Sequence, residues 1–310
     1  MRKFFIRAAA TALMLSIVLG GLVTAQQSSL MDAVLDGDAA AVRQLITDKA
    51  DVNAADASGV TALMVAASQG NIVILRLLIA AGADANARTL EGDTALIAAA
   101  FGAHSDAVGA LLAAGADAKA PGAHGRTPLM AAATNGGVAA ARLLLAKGAR
   151  AADVDADGHS ALSYATSGGD ADVIALLLQN GATGSGEDVM RAAGGCHAAG
   201  LRALLRSGLS ANTTVGSSPP LVSAALANCR EAVQALLDAG VNVDVRDDRG
   251  RTALMAAARN GFADLVSLLL DKHASASAVD AEGYTASHHA ELGGHSELAD
   301  RLQTVAAMTT

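Results

Sequence analysis

One block of residues recurs along this chain every 33 positions, and that recurrence limits the possible folds more than any single residue does. Thr61-Ala62-Leu63-Met64, Thr94-Ala95-Leu96-Ile97 and Thr127-Pro128-Leu129-Met130 stand in one register, and Ser160-Ala161-Leu162 continues it. After a break the register resumes at Pro219-Pro220-Leu221, Thr252-Ala253-Leu254 and Thr285-Ala286-Ser287-His288. Each start is followed by a leucine pair and a Gly-centred stop. Examples are Leu77-Leu78 with Gly82-Ala83-Asp84, Leu111-Leu112 with Gly115-Ala116-Asp117, Leu144-Leu145 with Gly148-Ala149, and Leu236-Leu237 with Gly240-Val241-Asn242. Such a chain is quasi-one-dimensional: each unit buries its apolar faces only on its neighbours.

The chemistry within one unit predicts two helices. Thr61 is a good N-cap, its hydroxyl accepting from a free amide at the helix start. Leu63, Ala66 and Ala67 form one apolar stripe that Gly70 ends, and Ile74, Leu77 and Leu78 mark a second helix stopped by Gly82. Pro128 and Pro220 fall in the first turn of their helices, where no amide hydrogen is missed. Helices of about eight to ten residues are unstable alone in water, so packing on neighbours must hold them. The composition agrees. Hydrophobic residues make up 52% of the 310, aromatics only 2%, and Trp is absent, leaving small side chains that suit closely stacked helices.

The pattern resembles the ankyrin repeat, whose sequence runs Gly-x-Thr-Pro-Leu-His, Ala-Ala, Gly, Leu-Leu and Gly-Ala-Asp-x-Asn. The resemblance covers nearly everything from about Ser28 onward, in nine units. It implies an all-α ankyrin-repeat solenoid of stacked helix-turn-helix units with short β-hairpin fingers. Residues 26–55 read as an N-terminal capping repeat, 56–283 as central repeats, and 284–310 as a C-terminal capping repeat and tail. The first unit lacks the hairpin and is made polar by Asp32, Asp36 and Asp38; the last carries Glu297 and Asp300 where other units are apolar. Between Gly181 and Gly208 the spacing falls short of the common period, so a shortened sixth unit spans about 182–210. Gly184, Gly186, Gly194 and Gly195 cluster there, and a bend or soft joint is expected at that point.

Positions 1–25 read as a signal peptide. Arg2, Lys3 and Arg7 precede an uncharged, mostly apolar run from Ala8 to Thr24, and Val23-Thr24-Ala25 offers a cleavage site. The competing reading is an uncleaved membrane anchor, since the run is near the roughly 18 residues at which spanning becomes possible. Cleavage gives a periplasmic or secreted chain with no membrane attachment.

A formal net charge of −8 and the shortage of aromatics argue against nucleic acid, which needs a basic surface and stacking platforms. The sequence carries no phosphate loop, zinc-binding His-Glu-x-x-His helix, nucleophile elbow or dinucleotide fingerprint. No catalytic residue, cofactor or metal ligand is assigned, and Gly184-Ser185-Gly186 reads as a turn. Among the histidines, the resemblance places His288 on the family's Thr-Pro-Leu-His, where the imidazole bridges backbone groups between repeats. His289 lies on another helical face, and His295 sits where Gly-His is common in this repeat, so the three are not expected to share an ion.

Cys196 and Cys229 fall at the turn between the two helices of consecutive units. In an oxidising compartment they are candidates for a bridge. Equivalent points on stacked helices lie about 8–10 Å apart, beyond the roughly 7 Å that a disulfide spans, unless the one-residue offset and the shortened unit close the gap. Two buried free thiols are the alternative.

In ankyrin-like repeats the fingertips and the end of the first helix face a concave groove that binds partners. The matching positions here are Ser68, Gln69, Arg88, Leu90, Phe101, His124, Arg126, Asn135 and His159. Further on they are Arg246, Arg249, Arg251, Arg259, Asn260 and Tyr284. Four arginines among these form a basic cluster on an acidic chain, unless Asp244, Asp247 and Asp248 neutralise them. The expected function is a monomeric, non-enzymatic scaffold that binds a protein partner outside the cytoplasm, in support of a periplasmic enzyme or envelope component. The alternative is a small-molecule or metal-dependent enzyme using the Gly-rich sixth unit and the histidines.

Overall fold

A computed structural model describes residues 25–216 and 218–308. The basic start and apolar run of the expected signal segment lie outside the described residues. The described chain is helical apart from short finger loops and one 3-10 turn, and no described helix is long and apolar enough to cross a membrane. It divides into two compact units at Ala161/Leu162.

The first unit holds four helix pairs: α1 (Ala25–Leu35) with α2 (Ala39–Thr47), α3 (Ala62–Gln69) with α4 (Ile72–Ala80), α5 (Ala95–Phe101) with α6 (Ser105–Ala113), and α7 (Pro128–Thr134) with α8 (Val138–Ala146). The second holds five: α9 (Ala161–Gly168) with α10 (Ala171–Gln179), α11 (Gly186–Gly194) with α12 (Ala198–Arg206), α13 (Pro220–Leu226) with α14 (Arg230–Asp238), α15 (Ala253–Arg259) with α16 (Ala263–Asp271), and α17 (Ala286–Leu292) with α18 (Ser296–Met308). Within each unit, first helices pack on first helices and second on second, as in α3 on α5 on α7 and α13 on α15 on α17.

The first helices are buried nearly all round. In α3 every residue from Ala62 to Ala67 is buried, and α15 is buried from Ala253 to Ala258. A helix with a neighbour on each side needs small side chains to let the axes approach, which explains the alanine content. The second helices bury one face, carried in α4 by Ile74, Leu75 and Leu78. Fully burying a side chain of that size stabilises by roughly 1.5–3 kcal/mol relative to leaving it exposed. The Thr caps form as expected: Thr61 accepts from the Met64 amide at 3.4 Å and Thr252 from the Met255 amide at 3.4 Å.

Within the first unit successive helix pairs are tied at two places. Asn53 donates to the Gly82 carbonyl at 3.2 Å and accepts from the Asp84 amide at 2.7 Å; Asn86 repeats this with Gly115 and Asp117. The second tie lies at the turn between the paired helices. At Gly70/His104, Ala103/Gly137, Gly169/His197 and Gly261/His295 a left-handed residue of one repeat meets the N-cap of the next repeat's second helix, and the two are matched in size. Gly70 (φ +67°) lies so close under the His104 ring that a Cβ would stand 2.5 Å from it, while Ala103 (φ +56°) faces Gly137, which adds nothing. His104 Nε2 lies 3.1 Å from the Ser68 carbonyl, and the rings of His197 and His295 cover Gly169 and Gly261.

The sixth pair is a complete helix pair with a tight start. Ser185 caps α11, and the Asp188 carboxylate accepts from the Ser185 amide at 2.9 Å and from Arg191 at 2.9 Å. Gly184, Gly186, Gly194 and Gly195 stand at the ends of α11 or outside it, and Gly200 inside α12 is buried, where a Cβ would meet Ile174. Gly184 and Gly186 leave no room for a Cβ against Leu209 and Thr213. They mark close approach of neighbouring chain, so glycine looseness is not a ground for softness there.

Candidate functional site

Four fingers are organised by an acid, buried in three of them and half-buried at Asp56. Asp56, Asp155, Asp247 and Asp280 each accept two backbone amides of their own loop through Oδ1; for Asp247 these come from Arg249 at 3.0 Å and Arg251 at 2.8 Å. Short bridges such as Ala55 with Thr61 and Arg88 with Thr94 close the hairpins. Asp155, Asp157 and His159 together could geometrically hold an ion. The Asp155 carboxylate is, however, occupied as in the other fingers, so the cluster is the finger's own fold.

Against this frame, several residues expected to face a partner are engaged within the chain. Arg88 donates to the Pro121 carbonyl of the next finger, and Arg246 makes the same contact with the Val279 carbonyl. Asn135 donates to the Phe101 carbonyl at 2.7 Å, Gln69 to the Leu35 carbonyl at 3.1 Å, and Asn260 to the Ala256 carbonyl at 2.8 Å. Arg251 is held by Asp247, with Nε 2.8 Å from Oδ2, and His159 stands 3.8 Å from Asp155. Arg126 is half-buried.

The expected four-arginine cluster is therefore not one site. Asp247 neutralises Arg251, whereas Asp244 caps the Ser275 amide at 2.9 Å. Arg249 is exposed at a fingertip between the exposed Asp248 and the next tip, which carries Glu282. The side chains left outward are Leu90 (82% exposed), His124, Arg249, Arg259 and Tyr284, the last stacked on His288 at 4.2 Å; Phe101 is half-buried. Leu226 and Leu292 are also exposed, and sequence reasoning passed over both because a leucine on an apolar helix reads as core. Their signal was positional, since they share the column of Phe101 and Arg259.

The histidines separate, but not as expected. His288 points outward, 3.5 Å from Glu291, and it is His289 that is buried, with Nε2 2.7 Å from Asp280 Oδ2. The reason is helical spacing: His289 shares the inward face of Ala286 and Ala290, and its neighbour falls about 100° away. Burial opposes ionisation of Asp280, but the Tyr284 amide, His289 and the Glu282 amide outweigh it and hold the carboxyl below its ordinary value of 3.8.

Cys196 and Cys229 come together, with Cα atoms 4.9 Å apart, inside the span of a disulfide. Cys229 is the N-cap of α14, the position that His104 and His197 occupy in other repeats, and Cys196 is the left-handed residue beneath it, at φ +62°. The pair thus occupies the inter-repeat tie, with sulfur on both sides in place of imidazole over glycine.

An open groove of about 620 Å³ runs over the second helices of the first unit, lined by Arg76, Ile79, Asp106, Gly109 and Leu143 among others. Its lining includes no histidine and nothing from the sixth repeat.

A family model for ankyrin repeats (3 copies) matches residues 30–122, 106–188 and 221–306. The chain belongs to the ankyrin-repeat family. Human ASB11 supplies a solved ankyrin repeat domain that matches with a TM-score of 0.61 and 29% identity, covering 67% of this chain and 96% of that one. Among curated proteins, glycerophosphocholine phosphodiesterase gde1 of Schizosaccharomyces pombe is 35% identical over 108 residues, 34% of this chain and 10% of that protein. A probable E3 ubiquitin-protein ligase, XBOS32 of Oryza sativa subsp. japonica, is 38% identical over 85 residues, 27% of this chain and 17% of its own length. The chain thus spans a small part of these curated relatives. Ankyrin repeats are protein-interaction modules, and this chain is similar to their repeat scaffold.

Proposed function

We propose that this ankyrin-repeat chain is a non-enzymatic interaction scaffold, acting as a monomer outside the cytoplasm. It binds a protein partner through its fingertips and the ends of its first helices. The observation that carries the reading is the division of labour among polar side chains. Buried acids, threonines and asparagines are consumed in caps, fingers and inter-repeat ties, while the side chains of Leu90, Arg249 and Arg259 face outward, and no hydrogen bond or ion pair holds either guanidinium among the described residues. Interface anchors are drawn from large apolar residues and arginine.

Export is supported by the basic start and apolar run within positions 1–25 and by the cysteine pair, since disulfides persist in oxidising compartments. A role beside a periplasmic enzyme or envelope component follows from resemblance to exported bacterial ankyrin-repeat proteins, and fold alone does not specify it. The test is quantitative affinity capture from envelope extracts with the mature chain and a Leu90→Asp/Arg259→Glu variant of equal melting temperature. Proteins retained by the first and lost by the second support the scaffold. Identical capture by both, or turnover of a small molecule by the purified chain, contradicts it.

A further inference from the structure

Three first helices of the second unit end in residues that occupy one register position. Leu226 closes α13, Arg259 closes α15 and Leu292 closes α17, each one repeat period from the next, on helices that pack side by side. Leu226 is 46% and Leu292 53% exposed. Arg259 is exposed, and no hydrogen bond or ion pair engages its guanidinium among the described residues.

A single exposed leucine needs no explanation. Two of them flanking an unpaired arginine in one column, on a chain of net charge −8, do. The backbone beneath is held in place: Gly293 of the next repeat passes so close to the Arg259 carbonyl that a Cβ could not fit. The fixed backbone sets where the guanidinium can reach, and its unpaired state leaves all its donors to a ligand, at the cost of ordering one side chain on binding.

We infer that this column is a docking strip for an extended segment of a partner protein, one that presents a carboxylate between two large apolar side chains. The inference rests on the interaction-scaffold reading above. Guanidinium recognises carboxylate through two parallel hydrogen bonds, and the two leucines supply apolar contact on either side. Neighbouring helices stand about 8–10 Å apart, and an extended segment in the polyproline II conformation advances roughly 3.1 Å per residue with about three residues per turn, so every third side chain faces the strip. One repeat therefore matches about three residues of the partner. The preferred segment reads apolar-x-x-acid-x-x-apolar, with the acid an Asp or Glu seated on Arg259. Arg249 lies outside the strip, on a fingertip already flanked by Asp248 and Glu282.

The test is selection of a phage-displayed random peptide library on the purified chain, followed by titration of the enriched sequence as a labelled synthetic peptide. The strip predicts enrichment of the apolar-x-x-acid-x-x-apolar pattern. Affinity should fall at least 10-fold in Arg259→Glu and in Leu226→Ser/Leu292→Ser, and stay within about 3-fold in Arg142→Glu, an exposed arginine of the second helix α8, at unchanged melting temperature. A peptide with Lys in place of the acid should bind Arg259→Glu better than the unaltered chain. Enriched peptides that lack the acid, or that bind Arg259→Glu undiminished, overturn the strip while leaving the scaffold reading standing. Failure to enrich any peptide also overturns it, and the scaffold reading is then decided separately by the capture experiment.

Discussion

Replacing Gly70 by alanine tests the size matching that ties successive repeats, and its cost can be worked from two contributions. Gly70 is in the left-handed region at φ +67°, where a Cβ costs roughly 1–2 kcal/mol. The new Cβ would also stand 2.5 Å from the His104 ring, so the imidazole must move. Its 3.1 Å contact with the Ser68 carbonyl is then lost, at about 0.5–1.5 kcal/mol. Gly70→Ala should therefore destabilise by roughly 2–3 kcal/mol. His104→Gly alone loses the hydrogen bond and ring packing, about 1.5–2 kcal/mol. The double variant recreates the Ala103–Gly137 arrangement one repeat further on, and the ring contact can be lost only once. The reasoning predicts a double-variant cost about 1 kcal/mol below the sum of the two singles, read by urea denaturation in a double-mutant cycle. Strict additivity would refute the size-matching account, because two independent sites would then be at work.

The remaining predictions use the same assays. Arg251→Glu should destabilise by about 1–3 kcal/mol, discounted from a fully buried pair because Arg251 is partly exposed, whereas Arg249→Glu should stay within about 0.5 kcal/mol; equal effects would deny that Asp247 holds Arg251. Since Asp280 has its folded-state pKa below the unfolded value, its stabilisation is complete above about pH 3.8 and is lost as pH falls through the lower folded value. Hydrogen exchange of α17 and α18 should show this acid loosening, and Asp280→Asn should flatten it. If Cys196 and Cys229 are oxidised in the exported protein, their bond closes a loop of sequence separation 33, and the chain-entropy estimate gives about 3.7 kcal/mol. Non-reducing peptide mapping should find the linked pair, reductant should lower the urea midpoint, and two freely alkylated thiols would remove the prediction.

The repeat register made the helix pairs legible before any coordinates. Thr61, Pro128 and Gly82 are local signals, each tied to one cap or stop, and a fixed period converts them into packing partners. The capping repeats at either end and the short sixth repeat are expectations drawn from departures in the same register. What the sequence hid was the destination of long polar side chains. Arg88 and Arg246 read as surface arginines because their acceptors, the Pro121 and Val279 carbonyls, belong to the next finger and carry no side-chain signature. The pairing of Arg251 stays open in the sequence because the buried member of the pair, Asp247, takes its role from backbone amides. His288 and His289 differ by one helical step, and a one-residue difference in facing is settled by packing on Ala286 and Ala290. Leu226 and Leu292 are the converse case, residues that look like core and stand at the surface.

Site-specific photocrosslinking tests the central claim most directly, because it reports contact itself and can be placed at exposed apolar positions that carry no charge. A photoreactive amino acid placed at Leu292, at Leu90 and, for comparison, at Val73 and Leu143 on the second helices would be activated in cells expressing the full chain. The account predicts discrete crosslinked protein adducts from positions 292 and 90 and few from 73 and 143. Adducts arising only from 73 and 143 would place the working surface on the opposite helices and contradict it.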